Sequence, residues 1–158
     1  MTDEVVRKSA LFFFLLTLDD DISQRATERA LKALRLKLKM QAGASTESDS
    51  ELEAAIHCCL SEWQKMKTTL PVDQRQLITT KALLWPDHVD LNPWKDFKKK
   101  CSENELVAVV VVHILGLSES ALARCMKVKE GTIRYRVAHG LALLGQLNRP
   151  GLSALQFS

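Results

Sequence analysis

The sequence has no apolar run long enough to cross a bilayer. Ala10–Leu16 and Val107–Leu115 fall well short of the about 20 residues a spanning helix needs. The first run follows Arg7 and Lys8, as a signal peptide would, but Asp19, Asp20 and Asp21 come at once and no small-residue cleavage site is present. A buried helix and a cytoplasmic location are expected instead. Cysteine pairing is also missing. The four cysteines, Cys58, Cys59, Cys101 and Cys125, form no CxxC pair. His57, Cys58 and Cys59 point different ways on a helix, so reduced thiols are expected rather than a metal site. Four histidines, His57, His88, His113 and His139, are scattered. No glycine-rich phosphate loop, carboxylate pair at a recognisable spacing or nucleophile motif is visible, which argues against an enzyme and against a cofactor. Strong charge is absent too. The net charge of +3 is too small to identify a nucleic-acid partner by itself. Residues 1–50 carry eight Lys/Arg against eight Asp/Glu, while residues 101–158 carry six against four, a difference of +2.

What is present is a helix-turn-helix pattern between Leu117 and Leu144. Ser118 can accept from an unpaired amide of the first turn. Leu117 and Leu122 are spaced as a hydrophobic staple. Small Ala121, Ala123 and Cys125 permit a close second helix. A break is expected at about Met126–Lys129, then a helix from near Glu130 to about Leu144. Ile133, Val137, Leu141 and Leu144 make one apolar stripe. Thr132, Arg134 and Arg136 point away from it, as donors on a recognition helix would.

The run SESALARCMKVKEGTIRYRVAHGLALLG resembles the C-terminal DNA-binding region of bacterial RNA polymerase sigma factors, the small extracytoplasmic-function type in particular. In that family a Gly-Thr-Val/Ile followed by alternating basic residues opens the helix that reads the promoter −35 element. Gly131, Thr132, Ile133, Arg134 and Arg136 match it residue by residue. The resemblance implies a DNA-contacting set of Lys127, Lys129, Thr132, Arg134, Tyr135 and Arg136. Five positions depart from the pattern. Lys127 stands where the turn usually has Gly, Lys129 where the helix usually starts on Ser or Thr, and Ala138, His139 and Gly140 where further arginines are common. A glycine inside a helix costs about 1 kcal/mol relative to alanine.

The rest of the chain reads as helices. A first runs from about Asp3 to Leu16, apolar nearly all round at its end. A second, capped by Asp21 or Ser23, runs to about Met40. Ala26, Leu31, Leu34, Leu36 and Leu38 are its apolar residues, and its many Lys and Arg read as a solvated face. This pair is faintly similar to the start of sigma region two. The aromatic-rich helix that opens the −10 element in a standard sigma factor is not visible after Met40. Gln41–Ser50 reads as a loop instead. A third helix, about Glu51 to Thr68, carries a stripe of Leu52, Ala55, Ile56, Cys59, Leu60, Trp63 and Met66, with Trp63 read as core. A short helix is expected from Asp73 to about Leu84, then irregular chain to Trp94. Lys95–Lys100 reads as a solvated connection that leads into the DNA-binding part. Ser102 and Glu105 form a capping box. The Val107–Val112 run is strand-like by propensity, but the cap and the length favour a helix ended by Gly116.

The expected fold is all-α: a helical domain over 1–100, like a degenerate sigma region two, and a helix-turn-helix domain of sigma region-four type over 101–158. The leading expectation is a sigma-factor-like regulator that binds duplex DNA. The alternative is a sigma-like interaction protein that binds RNA polymerase core or a regulatory protein without opening promoters. A third is a regulator controlled by a ligand or partner through an ordinary helix-turn-helix. A protein contact made mainly before Lys100 is also expected.

Overall fold

The computed structural model describes residues 1–41, 48–69 and 90–147. All elements among them are helical, in line with the all-α expectation. The expected helix at 73–84 lies outside the described residues. The chain divides into two compact units, Met1–Asp87 and His88–Ser158.

In the first unit, helices α1 (Asp3–Thr17), α2 (Asp20–Met40) and α3 (Ser48–Thr69) pack pairwise on one another. Thr2 caps α1 by accepting from the Val5 amide at 3.4 Å. Asp3 and Glu4 in the first turn complement the positive end of the helix. Phe12, Phe13 and Phe14 are all buried, each stabilising the fold by roughly 1.5–3 kcal/mol. The first two meet edge to face with ring centres 5.1 Å apart. Leu18 ends α1 in the left-handed region at φ 54°, which its side-chain burial offsets.

The cap of α2 is Asp19, which accepts from the Ile22 amide at 2.8 Å, rather than Asp21 or Ser23. Asp21 lies inside the helix, where its carboxylate favours the dipole but caps nothing. Ala26, Leu31 and Leu34 are buried as expected, and Leu34 joins Val5, Ala55 and Cys58 in one cluster. Leu36 is 58% exposed, because two residues from Leu34 the helix has turned to its opposite side. Arg25, Arg29, Lys32, Arg35 and Lys39 are solvated. Arg29 Nη1 donates to the largely buried Glu62 at 3.0 Å and ties α2 to α3. On α3, Ala55, Ile56, Cys59, Leu60 and Met66 are buried, with Leu52 and Trp63 half-buried. Burial pushes the Cys59 thiol up to about 12. Helix α3 begins at Ser48, three residues before the expected Glu51, and the expected loop over 42–47 lies outside the described residues.

The second unit starts with α4 (Asn92–Lys100), where a solvated connection was expected. Its charges hid an inner face. Trp94 and Phe97, three residues apart, are buried and in contact, with ring centres 5.2 Å apart. Helix α4 packs on α7 (Glu130–Leu147), so it belongs with the C-terminal unit and not with the residues before it. Desolvation lowers the Lys98 ammonium to about 8.

The capping box is present at the start of α5 (Glu103–Ala108). Ser102 Oγ accepts from the Glu105 amide at 3.2 Å and Glu105 Oε2 accepts from the Ser102 amide at 3.0 Å. The valine run continues α5 as a wider π turn over Val109–Ile114, marked by the Leu115 amide donating to Val110 O at 2.9 Å. It is helical, as expected against its strand propensity. Val109, Val110 and Val111 are all fully buried in succession. Gly116 then turns the chain at φ 79°, a conformation that favours glycine.

Candidate nucleic-acid interface

Helices α6 (Glu119–Met126) and α7 form the helix-turn-helix. Ser118 caps α6 by accepting from the Ala121 amide at 3.2 Å. Leu117 and Leu122 are both buried, as a staple requires. Lys127 ends the helix at φ 55° and ψ 44°, so it adopts the left-handed conformation that a glycine would take more easily. The Val128 amide donates to Ala123 O at 3.0 Å, closing the turn. Helix α7 starts with no side-chain cap, since Lys129 offers only its carbonyl, to the Thr132 and Ile133 amides at 3.0 and 3.4 Å.

The inner stripe of α7 is Ile133 and Val137, both buried, with Leu141 and Leu144 half-buried. Gly140 is buried between them and α5. A Cβ there would lie 2.5 Å from Val109 Cγ2 and 3.6 Å from Phe97 Cζ. The glycine that reads as a helix defect is thus a point of close approach between helices.

The six expected contact residues are not equivalent. Lys127, Lys129, Arg134 and Tyr135 are exposed, while Thr132 and Arg136 are half-buried. Arg134 and Arg136 do not share a face, because residues two apart on a helix diverge. Arg136 Nη1 is covered and has no hydrogen-bond partner. Arg134 is already engaged. Its Nε donates to Glu119 Oε2 at 3.1 Å and its Nη2 to Glu130 Oε1 at 2.8 Å. Beside it, Tyr135 is 66% exposed and stacks on His139 with ring centres 5.9 Å apart and planes 13° apart. His139 Nδ1 lies 2.7 Å from Glu105 Oε1, tying α7 to the cap of α5. Hydrogen bonding from the Ser102 amide, helped by His139, holds the Glu105 carboxyl below its ordinary value. Burial pushes the Cys101 thiol up to about 11, with the Glu105 charge adding to it.

Sequence reasoning did not bring Glu119, Glu130 or His139 to the site, and it read Glu105 only as a capping residue. The Glu130–Arg134 pair was legible as an i,i+4 spacing. The others come together only through tertiary packing.

A solved structure shares this architecture over 93% of each chain, with a TM-score of 0.67 and 17% sequence identity. It is the sigma factor RpoE of Bartonella quintana, in complex with the anti-sigma factor NepR. The fold is that of a sigma factor. Within it, α6 and α7 are the C-terminal helix pair and α1–α3 the helical N-terminal part. No family model and no curated protein sequence matches the chain. Among the described residues, no helix is long and apolar enough to cross a membrane, and no group of side chains could hold a metal ion.

Proposed function

We propose that this chain is a sigma-factor-like regulator of transcription that binds duplex DNA by presenting the turn after α6 and the start of α7 to the major groove. The observation that carries this reading is the corner itself. Ile133 and Val137 face the core, while Lys127, Lys129 and Tyr135 stand exposed around the first turns of α7. A recognition helix contacts DNA with its N-terminal residues, and flanking lysines neutralise phosphates. Thr132 is near enough to the surface to reach a base edge or phosphate. The sigma-factor fold fits a cytoplasmic regulator rather than an enzyme. The test is binding of the full chain to a labelled duplex across a salt series. Lys127→Ala/Lys129→Ala should flatten the salt slope by about 2, one for each phosphate contact. An unchanged slope and affinity would remove this corner as the DNA contact.

A second reading has its own support. The exposed side of α7 continues through Ala138, His139 and Ala142 with no further cation, and Arg134 is held by carboxylates. Such a surface suits a protein partner. The Bartonella sigma factor was solved with an anti-sigma factor, and a regulatory protein or RNA polymerase core is the corresponding partner here. The DNA-binding part then begins before α4 rather than at residue 101, because α4 packs on α7.

A further inference from the structure

We propose that Glu119 and Glu130 set the DNA affinity of the helix-turn-helix by holding Arg134 away from phosphate. This rests on the reading of α7 as the DNA-contacting helix. Glu119 is the first residue of α6 and Glu130 the first residue of α7. Their carboxylates reach the same guanidinium from two elements, at 3.1 and 2.8 Å. One positive charge therefore sits between two negative ones at the place where a DNA backbone would arrive. A phosphate approaching Arg134 meets donors already in use and a local charge of −1. It must displace both carboxylates or come close to them. The Arg134 side chain is 64% exposed, that of Glu130 49% and that of Glu119 29%, so solvent screens both bonds, the one to Glu130 more, and a phosphate can displace them. The arrangement restrains binding without abolishing it, and it leaves Lys127 and Lys129 to supply the initial attraction.

Both glutamates also stand at helix starts, where a carboxylate is favoured by the helix dipole. That role does not involve Arg134, and neither does a general gain from removing negative charge near DNA. A double-mutant cycle separates them. The full chain, Glu119→Gln/Glu130→Gln, Arg134→Ala and the triple variant are titrated by fluorescence anisotropy against a labelled duplex of random sequence, over a range of salt. Thermal melts by circular dichroism establish that each variant is folded. The proposal expects Glu119→Gln/Glu130→Gln to bind roughly tenfold tighter than the unaltered chain. Its salt slope steepens by about one as Arg134 takes a phosphate. With Arg134→Ala already present, most of this gain disappears. A gain of equal size on the Arg134→Ala background overturns the proposal, as does a loss of affinity, which would make the carboxylates positioning groups for the arginine. If neither the unaltered chain nor Glu119→Gln/Glu130→Gln shows salt-dependent binding, the DNA reading falls with it. Salt-dependent binding that responds to Lys127→Ala/Lys129→Ala, without the Arg134 coupling, sinks the restraint alone.

Discussion

Replacing Gly140 by alanine should destabilise the C-terminal unit, although the same change elsewhere in α7 should stabilise it. The new methyl would sit 2.5 Å from Val109 Cγ2, about 1 Å inside the ordinary carbon–carbon contact of roughly 3.5 Å. Val109 is fully buried and β-branched, so it has no free space to rotate into. Phe97 Cζ stands at 3.6 Å on another side of the same site. Overpacking of this kind costs typically about 1–3 kcal/mol. Alanine recovers about 1 kcal/mol of helix propensity, so the net loss is about 0–2 kcal/mol. Gly145 provides the reference. It lies in the same helix, and nothing stands within 4 Å of the position of its Cβ. Gly145→Ala should therefore gain about 0.5–1 kcal/mol. The gap between the two variants isolates the packing contribution, at about 1–3 kcal/mol. Urea unfolding of the full chain followed by far-ultraviolet circular dichroism measures both. Equal stabilisation by the two alanines would refute the close approach of α7 to α5.

Lys127→Gly should raise stability by about 1 kcal/mol, because the left-handed turn then carries no side-chain penalty, and weaken DNA binding by removing a cation; a fall in the urea midpoint would contradict the first part. The Glu105 carboxyl is held below its ordinary value in the folded protein, so it contributes stability above pH about 4.5 that is lost as pH falls through the lowered value. Glu105→Gln should flatten that acid branch of the stability profile, and an unaltered branch would show that the Ser102 and His139 contacts carry no net stability. The Cys59 and Cys101 thiols are raised to about 12 and about 11, so their contribution is complete below pH about 9 and is lost above it. Lys98, lowered to about 8, acts in the opposite sense between pH about 8 and 10.5, so net alkaline loss should begin only above pH about 9. Finally, no aromatic run follows Met40, so this chain as sole sigma factor should not direct RNA polymerase to open host promoters; specific transcripts in a reconstituted reaction would overturn that.

Local signals in the sequence carried the helix ends well. Ser118, the Ser102–Glu105 box and the start of α7 at Glu130 each depend on residues within one turn, so they are legible without knowing the fold. The Leu117–Leu122 staple and the helical valine run follow the same logic. The cap of α2 was expected at Asp21 or Ser23 and lies at Asp19, because neighbouring aspartates are all competent caps and only the extended backbone at Asp19 decides. Helix α4 was hidden by KDFKKK, whose lysines read as solvent-facing while Trp94 and Phe97 turn inward between them. Gly140 could only be scored as a local cost, since its justification is Val109 on another helix. The exposure of Lys127, Lys129 and Tyr135 follows from the helical pattern, but the charge pairing around them does not. Arg134 is partly neutralised by Glu119, a partner that α6–α7 packing supplies, and Arg136 turns toward the protein by the ordinary helical rotation from Arg134.

The measurement that tests the account most directly is amide hydrogen exchange of the full chain with and without a saturating duplex at low salt. The account expects slowed exchange concentrated on the turn and first turns of α7, residues 127–136, with the start of α6 included. Lys127→Ala/Lys129→Ala should lose that protection. Protection confined to α1–α3, or no change anywhere under conditions where the duplex is bound, would contradict the claim that α7 is the DNA-contacting helix.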